Sequence, residues 1–134
     1  MMDRTEVTLR TGTEEMHPRE IVALLRQTVW AKDRTEEAIH QSLKTSLCYG
    51  AFDAQDHQIG FARVITDFAT HYYICDVVVD GAWRHKGVGT QLLTLVTQTE
   101  AFSGLLGMLI TEEAEKFYEP FGFHRNEICF MTKP

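Results

Sequence analysis

The hydrophobic positions of this chain follow a strand-like spacing in three consecutive segments. Residues 46–52, 59–66 and 72–79 are rich in β-branched and aromatic side chains, which favour extended backbone. The polar segment 53–58 between the first two predicts a hairpin turn. A shorter segment of the same kind, residues 7–10, predicts an additional strand at the start of the chain.

Helical spacing follows this first strand. Apolar residues three and four positions apart predict one helix that begins at His17-Pro18, where proline suits the first helical position. The same spacing predicts a second helix, and Asp33 with Glu36 could form a capping box at its start.

The C-terminal half predicts the rest of the fold. A helix is expected after Thr90, ending at residues 103–104, followed by an apolar run at 105–111 typical of a strand covered on both faces. A short helix at 112–119 and a last strand or strand pair at 123–133 complete the order β-α-α-β-β-β-α-β-α-β. The prediction is an α/β fold with a mixed central sheet and helices on both faces, as a single domain over residues 1–134.

Composition excludes several classes of function. A hydrophobic share of 44% with 24% charged residues is that of a soluble globular protein, and no apolar run reaches the roughly 18 residues of a membrane helix. The N-terminal segment lacks an apolar signal region, so we expect a cytoplasmic protein. A net charge of −6 argues against nucleic-acid binding and mildly favours a cationic acceptor.

The cysteines and histidines predict neither a disulfide nor a metal site. The three cysteines form no C-x-x-C pair, and the six histidines show no metal-ligand spacing. Strict alternation along the strand 72–79 would place Cys75 on the opposite face from Asp76, with no histidine nearby to activate it. We therefore expect Cys75 to be a buried thiol rather than a nucleophile.

A basic, glycine-containing loop at 84–89 separates the strand 72–79 from the following helix. The start of a helix offers unpaired N–H groups and the positive end of a dipole, and Gly87 and Gly89 would let a ligand approach them. With Arg84 and Lys86 nearby, the residue types fit a pyrophosphate. Neither a Walker A loop nor the dinucleotide fingerprint G-x-G-x-x-G is present, and a simple strand-to-helix turn with surface charges is the alternative.

Two motifs carry a resemblance to a known family. The pattern R-x-x-G-x-G at 84–89, directly after a strand containing D-x-V-V, resembles the acetyl-coenzyme A loop of the GNAT superfamily of N-acetyltransferases. The segment 111–123 resembles the family's A-x-x-F-Y-x-x-x-G-F motif, with Pro120 as a departure that should shorten its helix. The order of elements is similar to the GNAT fold over nearly the whole chain.

The resemblance implies an enzyme that moves an acetyl group from acetyl-coenzyme A, as co-substrate and without a metal, to the primary amine of a small molecule or peptide. Direct attack in a ternary complex and, by family habit, a homodimer are implied as well. A catalytically silent GNAT-like module that binds acyl-coenzyme A or a partner is the alternative. The cofactor-binding residues implied are Val77, Val78, Val79, Arg84, His85, Lys86, Gly87, Val88, Gly89 and Thr90.

The chemistry assigns further candidate residues. The resemblance implies that Tyr118 meets the leaving thiolate, while packing at a helix end is the alternative. Asp76 is the nearest candidate for the general base, although it could instead orient backbone or a loop. The resemblance also implies that Trp30, Phe68 and Tyr72 form the wall of the acceptor site, with core packing as the alternative for Trp30.

Overall fold

The computed structural model describes residues 6–134 and contains five strands and four α-helices. Most elements lie within one to three residues of their predicted positions, because local hydrophobic spacing determines them. The strands are β1 (Thr8–Thr11), β2 (Leu47–Phe52), β3 (Gln58–Thr66), β4 (His71–Val79) and β5 (Leu106–Leu109). The helices are α1 (Pro18–Leu25), α2 (Glu36–Lys44), α3 (Val88–Thr97) and α4 (Glu115–Tyr118).

The strands form one mixed sheet in the order β1-β2-β3-β4-β5. Neighbouring strands from β1 to β4 pair antiparallel, whereas β4 and β5 are parallel. The parallel pair needs a crossover, and α3 supplies it. This confirms the predicted mixed sheet.

Helices cover both faces of the sheet, as predicted. On one face, α1 and α2 bury Ile21 and Ile39 against Phe61 of β3 and Val78 of β4. On the other face, α3 packs its apolar residues, including Leu92, against the opposite side of β2 and β3. Side chains that alternate along β3 therefore belong to two separate cores.

The predicted capping box of the second helix is not the observed cap. The backbone N–H of Ala38 donates a hydrogen bond of 3.1 Å to the hydroxyl of Thr35, and α2 begins at Glu36. Thr35 is therefore the N-cap residue of α2, since its hydroxyl accepts from the N–H three residues later. Asp33 lies two residues before this cap, outside the helix.

Two strand predictions at the C-terminal end were wrong. Residues 123–134 form no strand, and Ile128 and Phe130 are 80% and 65% exposed, because no strand of the described sheet pairs with them. The prediction that β5 is covered on both faces also fails. β5 is the sheet's edge, where Leu106 and Met108 are 59% and 44% exposed.

The helix predicted to end at 103–104 is also shorter than expected. α3 ends at Thr97, and a separate 3-10 turn follows at Glu100–Phe102. Residues 97–100 are all polar, so the apolar spacing stops at Val96, close to the observed end of the helix.

Candidate active site

The sheet opens between β4 and β5, because their pairing ends at Ile74. Beyond that point β4 remains paired with β3 alone. The N–H of Asp80 donates to the carbonyl of Ile59 on β3 at 2.8 Å. Since successive residues of a strand point their polar groups to opposite sides, the main-chain groups of Val77 and Val79 face the opening. The opening is therefore lined by unpaired backbone donors and acceptors.

The N-terminus of α3 lies at one end of this opening. The first helical hydrogen bond runs from Gln91 N–H to Gly87 carbonyl at 3.0 Å, so the N–H groups of residues 88–90 have no acceptor within the helix. His85 and Gly87 both have a left-handed backbone, with φ of 63° and 84°. The turn thereby directs consecutive N–H groups outward, an arrangement suited to anions.

The side chains of the loop divide into exposed and buried positions. Arg84, His85 and Lys86 are exposed, and Arg84 Nε donates to the carbonyl of Val79 at 3.4 Å, on the open edge of β4. Val88 is buried in the α3 core, so only its main chain can meet a ligand.

Gly89 lies in close contact with α4. A Cβ atom at Gly89 would lie 3.2 Å from Cζ of Phe117, so the Phe117 ring would have to shift by a few tenths of an ångström. This contact holds the segment that carries Tyr118 beside the loop.

Tyr118 lies at the C-terminal end of α4 and is half-buried. Its ring packs edge to face against Phe117 and Phe123, with centroid distances of 4.9 and 6.2 Å. Burial raises the pKa of Tyr118 to about 12. The phenol is therefore protonated at neutral pH and able to donate a hydrogen bond.

Asp76 is buried and already bonded to three donors. Its carboxylate accepts hydrogen bonds from Trp30 Nε1 at 2.8 Å, Arg34 Nη1 at 3.0 Å and Arg63 Nε at 2.8 Å. Burial alone would raise the pKa of Asp76, but the hydrogen bonds and charges of the two arginines outweigh it, and the pKa lies below its ordinary value. This environment favours a positioning role over that of a general base.

A β-bulge at Cys75 changes which side chains share a face. Arg63 pairs with Asp76 and the next residue of β3 pairs with Ile74, so Cys75 is an extra residue without a partner. Strict alternation, which underlay the predicted face of Cys75, therefore does not hold there. Cys75 is half-buried rather than buried as expected, and the partial burial raises the pKa of its thiol.

The three predicted acceptor-wall residues do not lie together. Trp30 is 56% exposed while its indole N–H is held by Asp76, and Phe68 is exposed in the β3–β4 turn. Tyr72 instead faces α3, where its ring stacks on Phe102 at a centroid distance of 4.4 Å. Tyr73, which pairs with Ile65 of β3, lies on the face of Asp76.

Arg34 and Arg63 were not among the predicted site residues. Arg63 is inward-facing on β3, between Phe61 and Ile65 on the same face. A buried arginine needs an acidic partner, so the inward-facing position of Arg63 could have predicted its ion pair from the sequence. Arg34 lies in the α1–α2 connection and carried no comparable signal.

Within residues 6–134 the structure has neither a cluster of metal-ligating side chains nor a membrane-spanning helix. No group of three or more His, Cys, Asp or Glu side chains could hold a metal ion. No helix there has the length and apolar character needed to cross a membrane.

Comparison with known proteins agrees with this architecture. The family model described as the acetyltransferase (GNAT) domain matches residues 44–125. A putative GNAT-family acetyltransferase from Xanthomonas campestris pv. campestris is 30% identical, with a TM-score of 0.87, covering 96% of this chain and 94% of that one. No curated protein sequence matches.

Two more distant structures share the fold. A putative acetyltransferase from Deinococcus radiodurans R1 is 21% identical, with a TM-score of 0.79, covering 99% of this chain and 92% of that one. An aminoglycoside N-acetyltransferase solved in complex with coenzyme A is 16% identical, with a TM-score of 0.74, covering 96% and 95%. With its matching domain model and its 30% identical relative, the chain belongs to the GNAT acetyltransferase family.

Proposed function

We propose that this protein is an acetyl-coenzyme A-dependent N-acetyltransferase that acetylates a primary amine by direct attack within a ternary complex. The observation that carries the proposal is the opening between β4 and β5, which ends at the unpaired N–H groups of α3. Acetyl-coenzyme A supplies an activated thioester when bound. An acetyltransferase that shares this fold was solved in complex with coenzyme A, which supports coenzyme A as the carrier of the acetyl group.

The residues of the opening fit a long, polar cofactor arm ending in a pyrophosphate. The carbonyl of Val77 and the N–H of Val79 would pair with the amides of the arm, while Val78, whose side chain is buried, would support β4. The N–H groups of residues 88–90, with the cations Arg84 and Lys86, would hold the phosphates. Val79 and Cys75 are four residues apart, which is about 13 Å along a strand. A cofactor arm that runs along β4 from the phosphate site would therefore bring its thioester end near the bulge at Cys75.

Charge stabilisation in this site falls to two groups. Negative charge develops on the thioester oxygen as the amine attacks, and the Val77 N–H, which faces the opening, would stabilise it. The Tyr118 hydroxyl would donate a hydrogen bond to the sulfur as it becomes a thiolate. The hydrogen bonds from both donors strengthen as negative charge develops on the oxygen and the sulfur. They therefore stabilise the transition state more than the bound substrate and lower the activation barrier.

The attacking amine must lose a proton. For an amine like that of lysine, with a pKa near 10.4, only about one molecule in a few thousand is unprotonated at neutral pH. Asp76 is a weak acceptor because its pKa is lowered and its oxygens are occupied. We assign proton removal to water at the exposed mouth beside Trp30, and to Asp76 the positioning of Trp30.

Thiol release from acetyl-coenzyme A, measured over a panel of amines, amino acids, polyamines and peptides, tests the proposal. We expect saturable release with at least one acceptor class, together with a mass gain of one acetyl group on that acceptor. Calorimetric binding of coenzyme A with no release on any acceptor would favour a silent binding module instead.

We also propose a homodimer. The outer edge of β5 is unpaired in residues 6–134, and Ile128, Phe130 and Met131 in the C-terminal segment are exposed, which is apolar area available for a second copy. Sedimentation equilibrium would give twice the chain mass of 15.4 kDa, whereas the single mass would exclude the dimer.

A further inference from the structure

Two arginines share one buried carboxylate on the face of the sheet that carries Trp30. Arg63 Nε and Arg34 Nη1 both donate to the same oxygen of Asp76, at 2.8 and 3.0 Å. Within residues 6–134 neither arginine forms an ion pair with a second carboxylate. The cluster therefore carries one uncompensated positive charge.

The two guanidinium groups keep donors that the protein does not use. Arg63 Nη1 also donates a hydrogen bond to the Ser46 hydroxyl at 3.1 Å. The guanidinium of Arg34 bonds only to Asp76 among the described residues. Each guanidinium has five N–H donors in a planar fork that matches carboxylate or phosphate oxygens. The side chain of Arg34 is 27% exposed, so a solute can reach its donors, while Arg63, at 11%, lies beneath it.

The loop that carries Arg34 is held in place before any ligand arrives. Arg26 Nη1 donates to the main-chain carbonyls of Lys32 and Arg34, at 3.2 and 2.6 Å. Trp30 is fixed to the other oxygen of Asp76. A preorganised pair of cations binds an anion with less loss of side-chain entropy than free surface residues would.

The cluster lies where the acceptor would meet the thioester. Asp76 directly follows the bulged Cys75, close to the point where β4 parts from β5. The side chains of Asp76 and Tyr73 share the face away from α3. A group bound by Arg34 and Arg63 would thus flank the reacting end of the cofactor proposed above.

We propose that the acceptor is a primary amine that also carries an anionic oxygen group, a carboxylate or a phosphate, which binds to Arg34 and Arg63. Trp30 and Tyr73 would contact its apolar part. This inference rests on the proposed acetyltransferase function and narrows its substrate class. The acidic net charge of the chain points the other way, but distant surface charges are screened beyond about 8–10 Å, whereas these two cations act at contact.

Matched acceptors and matched variants test the inference by thiol release. Leucine is compared with leucinamide, and phosphoethanolamine with ethanolamine, and the two pairs separate carboxylate from phosphate. Because the anionic group also raises the pKa of the amine, rates within each pair are compared at equal concentrations of unprotonated amine. The variants are Arg34→Gln, Arg34→Lys and, as control, Arg10→Gln. Arg10 lies on the distant strand β1 and, like Arg34, has one carboxylate partner, here Asp56. The exposed fraction of its side chain, 30%, is similar to the 27% of Arg34.

We expect the wild type to prefer the anionic member of at least one pair. Arg34→Gln should raise KM for that acceptor by roughly 10- to 100-fold while leaving KM for acetyl-coenzyme A unchanged, as expected for one charged hydrogen-bond group. Arg34→Lys should retain part of the preference because it keeps the charge. Arg10→Gln should keep the wild-type preference. A loss of preference in Arg34→Gln but not in Arg10→Gln would then be specific to Arg34 and not the result of a general loss of stability.

The two proposals fail in different ways. Acetylation of neutral amines with equal or better efficiency than of their anionic counterparts would overturn this inference and leave the acetyltransferase function standing. If no acceptor gives thiol release, the acetyltransferase proposal fails. The inference is then decided by calorimetry with N-acetyl-leucine and its amide in the presence of coenzyme A: tighter binding of the acid, weakened by Arg34→Gln, supports it, and equal binding refutes it.

Discussion

Tyr118→Phe removes a single hydroxyl and keeps the ring that packs on Phe117 and Phe123. Proton transfer from a phenol of pKa about 12 to a thiolate whose acid has a pKa of about 8.5 is uphill by about 5 kcal/mol. We therefore expect Tyr118 to act through a hydrogen bond to the leaving sulfur. Such a bond to a charged acceptor contributes about 1.5–3 kcal/mol, so kcat should fall by about 10- to 150-fold.

Steady-state thiol release gives kcat and KM for acetyl-coenzyme A in both proteins. The matched control is Tyr49→Phe. Burial also raises the pKa of Tyr49 to about 12, but its hydroxyl is 2.6 Å from the Thr99 hydroxyl in the core between the sheet and α3. Tyr49→Phe should lower stability by about 1 kcal/mol in urea unfolding and leave kcat unchanged.

The outcome for Tyr118→Phe separates chemistry from binding. The loss should appear in kcat, since the bond strengthens only as the sulfur becomes negative. An unchanged kcat, or a rise in KM for acetyl-coenzyme A alone, would refute the assignment of Tyr118 to the leaving group.

The remaining predictions concern Asp76 and the loop. Asp76→Asn leaves Arg63 and Arg34 without a countercharge and should destabilise the protein by about 3–5 kcal/mol in urea unfolding; a loss below about 1 kcal/mol would contradict the buried ion-pair network. Because the folded pKa of Asp76 is lowered, its contribution is complete above about pH 4 and is lost as the pH falls through the folded pKa. The difference in Tm between wild type and Asp76→Asn should therefore shrink below about pH 4, and a constant difference would argue against this linkage. Gly87→Ala and Gly104→Ala both place alanine at a left-handed residue with open space around it and should each cost about 1–2 kcal/mol of stability. Only Gly87→Ala should weaken coenzyme A binding in calorimetry, and equal affinities would exclude the loop as the phosphate site.

Much of the fold could be predicted from local sequence. Hydrophobic spacing located β2, β3, β4 and α1 to within a few residues, because neighbouring side chains determine which face of an element is apolar. The loop at 84–89 could also be found locally, since its glycines and cations are consecutive and follow a strand. Prediction failed at the last strand, residues 123–133, because strand-like composition does not tell whether a segment pairs with a neighbouring edge. These residues form no strand although the outer edge of β5 is free within residues 6–134.

The sequence by itself determined the order of elements up to α4, the family resemblance and the positions of Gly87, Gly89 and Tyr118, all of which depend on residues close together in the chain. Only the tertiary structure decided the acceptor side of the site. The bulge at Cys75 arises from the register between β3 and β4. Arg34 reaches Asp76 across 42 positions of sequence. Register and long-range ion pairs depend on the free energy of contacts between remote segments, which local patterns do not contain.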